Sequence, residues 1–201
     1  MAGMKPRIAV VIGSTRKSRF ADKPAEWILA KAKERTGWDV DLVDLRDFDL
    51  PFFDERASNL WVPSEDPHAV KWQETIGGYD GFIFVVAEYN RSITGALKNA
   101  LDQAYKEWGR KPMAALGYGG LGAARAIEHL RLIGVELQMV PLRNAVHIGA
   151  GEFRKVSPMG GNGAMSEIDE VLAPSAKAML DELDWWVRVT MTGRQESAAA
   201  A

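Results

Sequence analysis

A chain of 201 residues, 47% apolar and 26% charged, has the make-up of one globular domain with a sizeable shared core. A formal net charge of −2 supplies no long-range attraction to nucleic acid or to an anionic membrane. With no cysteine, the chain has no disulfides, thiolate metal sites, iron–sulfur clusters or thiol redox catalysis, so redox chemistry would have to be carried by a bound cofactor.

The elements alternate in type. Arg7 to Ile12 reads as a strand, Ala21 to Arg35 as a helix and Trp38 to Asp44 as a second strand. An irregular segment from Asp47 to Pro67 leads to a helix over His68 to Ile76. Gly81 to Ala87 follows as a strand, Ile93 to Trp108 as a helix and Lys111 to Gly117 as a strand. Ala123 to Gly134 reads as a helix, and part of Leu137 to Ile148 as the last strand. A second irregular segment, Gly149 to Met165, precedes a helix over Ser166 to Thr190. "IAVVI" and "FIFVVA" are continuous β-branched and aromatic runs, the mark of parallel strands covered on both faces. Strand–helix alternation of this kind predicts a flavodoxin-like three-layer α/β sandwich whose five-stranded parallel sheet has the order 2-1-3-4-5. The single domain is expected to span 1–190, with 191–201 as an unstructured tail. The N-terminal "MAGMKPR" carries no apolar signal segment, and no stretch approaches the ~20 residues of a membrane span. A cytoplasmic address without membrane or nucleic-acid partners is the expectation.

In that strand order the crevice for a ligand opens where the chain reverses direction, at the carboxyl ends of strands 1 and 3. The two loops there are the most chemically loaded in the chain. "GSTRKSRF" combines Gly13 with the hydroxyls of Ser14, Thr15 and Ser18, the charges of Arg16 and Arg19, and a following helix N-terminus, which together suit an anion. A simple helix cap would use the same residues. The loop contains neither a Walker lysine nor the spaced glycines of a dinucleotide loop, so a smaller phosphate group is indicated. After strand 3, "EYNRS" places Glu88, Tyr89 and Asn90 before Ser92, a candidate N-cap. An amide and an aromatic here suit a flat heterocycle, and Asn90 equally suits a left-handed turn. After strand 4, Tyr118, Gly119 and Gly120 allow close backbone approach to a ligand, or simply a glycine-rich turn. The three histidines, His68, His129 and His147, have no metal-ligand spacing. Phe52, Phe53 and Trp61 lie in the first irregular segment, where aromatics point to burial against another subunit.

Taken together, these loops resemble the NADPH-dependent FMN reductase family, flavodoxin-like enzymes that include quinone, chromate and azo-dye reductases. Gly13-Ser14-Thr15-Arg16 with Ser18 corresponds to its G-S-x-R motif. Glu88 to Asp102 corresponds to P-E-Y-N-x-S followed by G-x-L-K-N-A-x-D, with Ala87 where proline is usual. Tyr118-Gly119-Gly120 corresponds to its Y-G-G turn. The resemblance implies FMN as cofactor and NADPH or NADH as co-substrate. It implies that Ser14, Thr15, Arg16, Ser18, Arg19 and Phe20 form the phosphate side, and that Glu88, Tyr89, Asn90 and Ser92 lie at the isoalloxazine ring. Tyr118, Gly119 and Gly120 would line its far edge. Hydride would pass from nicotinamide to flavin and then to an acceptor such as a quinone, flavin, azo dye or metal oxyanion, in ping-pong order and with no obligatory side-chain base. A homodimer or homotetramer is expected. A flavodoxin-type electron carrier is the alternative, although a charge of −2 is not that of a protein built to dock on basic partners.

Overall fold

The computed structural model describes residues 5–199. Six parallel strand segments form one sheet: β1 (Arg7–Ile12), β2 (Asp39–Asp44), β3 (Gly81–Ala87), β4 (Pro112–Tyr118), β5 (Val140–Pro141) and β6 (Val146–Ile148). Their order is β2-β1-β3-β4-β5, and β6 also pairs with β4. The fifth strand position is therefore two short pieces rather than one run. The Leu142 amide still donates to the Met113 carbonyl at 3.0 Å, but residues 143–145 leave the ladder, and side chains take over the lost pairing. Arg131 donates to the carbonyls of Leu142 and Arg143 at 3.0 and 2.7 Å, and Glu182 accepts from the amides of Arg143 and Asn144 at 3.2 and 2.9 Å.

The unbroken apolar runs follow from burial on both faces. Along β1, Ile8, Val10 and Ile12 join the core layer under α1 (Asp22–Lys33) and α6 (Asp169–Ala199). Ala9 and Val11 point the other way, toward α2 (Pro67–Gly77), α3 (Gly95–Asp102) and α4 (Ala124–Glu136). The second layer is tied together by aromatic rings. Trp108 lies edge-on to Phe82 at 4.9 Å and to Trp72 at 6.0 Å, and both indole N–H groups find backbone carbonyls, on Ala100 and Leu101.

Three elements differ from the sequence-based expectation, each for a local reason. Helix α3 is shorter at both ends. Its N-cap is Thr94, which accepts from the Leu97 amide and donates to the Gly13 carbonyl, so Ser92 is left outside the helix. After Asp102 the helix stops because the carbonyl of Gln103 is taken by Gln73 at 2.6 Å, and the chain then turns Trp108 fully into the core. The second irregular segment contains a short helix, α5 (Ala150–Val156), too brief to show a periodic apolar stripe. The tail expected from 191 onward is helical through Ala199, while 200 and 201 lie outside the described residues. It is held by tertiary contacts, since Arg194 donates to Asp80 at 2.7 Å and to the Arg110 carbonyl at 2.8 Å. Among the described residues, no helix is long and apolar enough to cross a membrane.

Candidate active site

The chain reverses direction between β1 and β3, and the loops leaving β1, β3 and β4 border one open cleft of about 400 Å³ at their carboxyl ends. The β1 loop starts at Gly13, whose amide extends the ladder to the Val85 carbonyl at 3.0 Å. A β-carbon there would stand 2.9 Å from Leu97 and 3.0 Å from that carbonyl, so only glycine fits without displacement. The loop is shaped by Arg19. Its side chain is only 3% exposed and donates to the Ser14 carbonyl at 2.7 Å and to both carboxylate oxygens of Asp44 at 2.6 and 2.5 Å. Asp22 at the start of α1 receives its Nε at 2.9 Å. Arg46 donates to the carbonyl of Arg16 from the outside. The carbonyls of Ser14 and Arg16 are thus held by arginine side chains. Among the described residues no acceptor meets the amides of Ser14, Thr15, Arg16, Lys17 or Ser18. A row of unpartnered amides beside an exposed guanidinium fits a phosphate group.

Arg16 reaches across the cleft mouth and donates to the Tyr89 hydroxyl at 3.1 Å. Behind them Phe20, Tyr118 and Phe153 make an aromatic floor: Phe20 is edge-on to Tyr118 at 5.1 Å and to Phe153 at 5.3 Å. Burial pushes the Tyr118 phenol well above its ordinary value, so it stays protonated. Gly119 and Gly120 form the remaining edge. Gly119 has φ +144°, and a β-carbon on Gly120 would meet nothing within 4 Å, so backbone lies open to a ligand here.

Several expected site residues are placed differently. Arg19 and Glu88 line the cleft but are committed elsewhere. Arg19 braces the loop as described, and Glu88 accepts from the Arg125 side chain at 2.6 Å and from its amide at 3.2 Å, at the start of α4. Burial would raise the Glu88 pKa, but the Arg125 contacts outweigh it and hold the carboxyl below the usual range. Ser14 is buried beneath the loop. Thr15 faces a separate hollow with Leu45, Phe48 and Phe52. Asn90 and Ser92 stand outside the cleft. Asn90 and Arg91 have φ of 49° and 71°, and the amides and carbonyls of Tyr89 and Ser92 exchange hydrogen bonds at 2.9 and 3.0 Å. That is a two-residue hairpin with positive φ at both central positions, which asparagine favours. Ser92 instead meets Nδ1 of His129 at 3.1 Å. Sequence reasoning missed Phe153, Ser157, Pro158 and Met159, which wall the cleft from α5 and the turn after it. Their only signal was the glycine cluster of "PMGGNG".

A family model described as NADPH-dependent FMN reductase matches residues 6–152. The chain belongs to this family. It is accordingly an oxidoreductase that works with FMN and a reduced nicotinamide. Relatives include an NAD(P)H-dependent FMN reductase of a Nectria species, 34% identical over 155 residues, covering 72% of this chain and 77% of the relative. A 2-hydroxy-1,4-benzoquinone reductase of a Burkholderia species is 31% identical over 194 residues, covering 92% of this chain and 98% of the relative. Among solved structures, the flavoenzyme NAD(P)H:(acceptor) oxidoreductase FerB of Paracoccus denitrificans shares the fold, with a TM-score of 0.67 at 24% identity over 89% of this chain and 97% of that one. The reductase's matched region stops inside α5, one residue short of Phe153.

Two outcomes are expected from this geometry. Burial would raise the Asp44 pKa, but the hydrogen bonds from Arg19 and the Arg46 amide, together with the charges of both arginines, outweigh it, and the net shift is downward. A carboxylate with a depressed pKa stabilises the fold above about pH 4 and loses that contribution as pH falls toward its folded value. Asp44→Asn should therefore cost about 2 kcal/mol at pH 7, below the usual cost of breaking a buried pair because Asp22 remains. Urea titrations of the two proteins should converge as the pH falls below about 4. Asn90→Gly should leave stability and FMN affinity nearly unchanged, within about 0.5 kcal/mol, because glycine adopts the same backbone angles without strain. Fluorescence titration with FMN checks this.

Proposed function

We propose that this reductase moves two electrons from NADPH or NADH to a small aromatic acceptor of the quinone class, the two substrates taking turns at the open face of one cleft. Bound FMN supplies the hydride-accepting and hydride-donating chemistry. The observation that carries the reading is the convergence of three strand-end loops on one cleft with an unpartnered row of amides at one end and an aromatic floor at the other. The quinone reductases among the relatives support the acceptor class.

Each wall has a defined task in this scheme. The amides of residues 14–18 and the Arg16 guanidinium hold the phosphate, a dianion that needs several donors at once. Phe20, Tyr118 and Phe153 offer a flat apolar surface to a flat ring. Gly119 and Gly120 let backbone approach the ring edge. Glu88 stays ionised and bound to Arg125, so it fixes the β3 loop against α4 rather than exchanging protons. Proton delivery to the reduced acceptor falls to solvent through the open mouth of the cleft.

Assembly is the second part of the proposal. Phe52 and Trp61 are 87% and 78% exposed on the single chain, although the segment carrying them is strapped to α3. Asn99 donates to the Pro51 carbonyl at 2.8 Å and accepts from the Phe53 amide at 3.0 Å. An ordered loop that displays two large aromatics to solvent is suited to bury them against another copy, most simply across a two-fold axis.

Arg16→Ala should weaken FMN binding roughly tenfold to hundredfold, the value of a charge-assisted contact of about 1.5–3 kcal/mol. Riboflavin, which lacks the phosphate, should bind both proteins equally. Flavin fluorescence titration reads both, and undiminished FMN affinity in the variant would place the phosphate elsewhere. Light scattering of the holoenzyme should give twice the chain mass or a higher even multiple, falling toward a single chain in a Phe52→Ser, Trp61→Ser double variant.

A further inference from the structure

The wall that sequence reasoning missed is built with unusual care for a surface turn. Helix α5 ends at Val156, and residues 157–163 double straight back on it. Gly161 donates to the Arg154 carbonyl at 2.8 Å and Gly163 to the Lys155 carbonyl at 2.9 Å. The approach is so close that a β-carbon on Gly160 would lie 2.0 Å from the Arg154 carbonyl oxygen. Lys23, on the first turn of α1, then staples the turn to the body of the protein. Its ammonium reaches the carbonyls of Val156, Asn162 and Gly163 at 3.0 Å and the Asn162 side-chain oxygen at 2.8 Å. Four oxygens from one turn converge on a single cation. At the base, Phe153 stacks on Tyr118 in the cleft floor at 6.2 Å.

The tip of this fixed turn carries Met159. It borders the cleft and is nevertheless 94% exposed, an apolar side chain held in the open by a backbone that has been stapled in place. A thioether is polarisable and adaptable, and it contacts aromatic rings favourably. The turn of residues 157–163 also lies beyond the segment matched to the family, which ends at residue 152. From this geometry we infer that the Lys23-stapled turn is an acceptor-specificity element, with Met159 as its contact residue for flat aromatic acceptors. The inference rests on the reading of the cleft as a flavin and acceptor site. Lys23 touches neither cleft nor ligand and is a positioning residue. A hydrophilic anion such as ferricyanide has no apolar face for Met159 to meet, so it gains nothing from the wall.

The test uses the FMN-loaded enzyme with 2-methyl-1,4-naphthoquinone and ferricyanide as alternative acceptors. Met159→Ala should raise the KM for the naphthoquinone, relative to that for ferricyanide, about threefold to tenfold, the value of one thioether–ring contact. Lys23→Met should shift the same ratio in the same direction, and Lys23→Arg, which keeps a cation within reach of the carbonyls, should restore it. A second readout needs no turnover. Trypsin should cut after Arg154 or Lys155 at least about tenfold faster in Lys23→Met than in wild type or Lys23→Arg, because local opening governs such cleavage. If wild type retains FMN and reduces the naphthoquinone while Met159→Ala leaves the ratio unchanged, the wall has no part in acceptor choice and the inference fails. If Lys23→Met stays as resistant to trypsin as wild type, Lys23 is not the staple. A wild-type protein that takes up no FMN would instead overturn the reading of the cleft itself.

Discussion

The buried guanidinium of Arg19 is the interaction on which the site depends. A cation with a side chain 3% exposed must be fully paired or it unfolds its surroundings. Here the pairing draws in three separate pieces of chain: Asp44 at the end of β2, Asp22 at the start of α1 and the Ser14 carbonyl of the β1 loop. Satisfying one charge therefore sets the shape of the loop between Gly13 and Phe20. With the Ser14 and Arg16 carbonyls taken by arginine side chains, the amides of the loop are left without partners among the described residues. A positive residue inside the loop thus prepares a binding place for an anion without itself being spent on it.

The same logic recurs at the other two loops. Glu88 looks like a ligand-facing acid at the end of a fully apolar strand, but its carboxylate is consumed by Arg125 at the start of α4. That pairing ties the β3 loop to the helix that follows β4. The hairpin of Tyr89 to Ser92 then projects from a fixed base, and Tyr89 meets Arg16 from the opposite side of the cleft. Each charged residue in the crevice has a neighbouring loop as its partner, so the three loops hold their positions relative to one another before any ligand arrives. Preorganisation of this kind lowers the cost of binding and of orienting a flat ring.

The fourth wall follows a different principle. Helix α5 is short, and no apolar stripe pins it to the sheet. Its place comes from Val156 buried in the core, from Phe153 packing edge-on against Phe20 and face-on against Tyr118, and from one lysine gathering the carbonyls of the turn beyond it. A wall held by so few groups can change through few substitutions without disturbing the phosphate loop. Separation of the part that holds a cofactor from the part that meets an acceptor is what allows one fold to serve many acceptors.

Much of this was written in the linear order of residues. The apolar runs of β1 and β3, covered on both faces, and the alternation of strand and helix determined the sheet order, and the sheet order located the crevice. Glycine at 13 and at 119–120, with hydroxyls and arginines between 14 and 19, marked which loops would line it. The division of labour among those residues was decided only by the folded chain. Arg16 and Arg19 are three positions apart and chemically identical, yet one is exposed at the cleft mouth and the other buried against Asp44, a residue 25 positions away. Asn90 carries an amide fit to meet a ring, and the folded chain sets it, exposed, at φ 49° in a two-residue hairpin. The wall of α5 depends on Lys23, more than 130 positions from the carbonyls it gathers. Local pattern reports periodicity and backbone preference, which are properties of neighbours along the chain. Which charge finds which partner is settled by burial, because a desolvated ion must take whatever opposite charge the fold brings within reach.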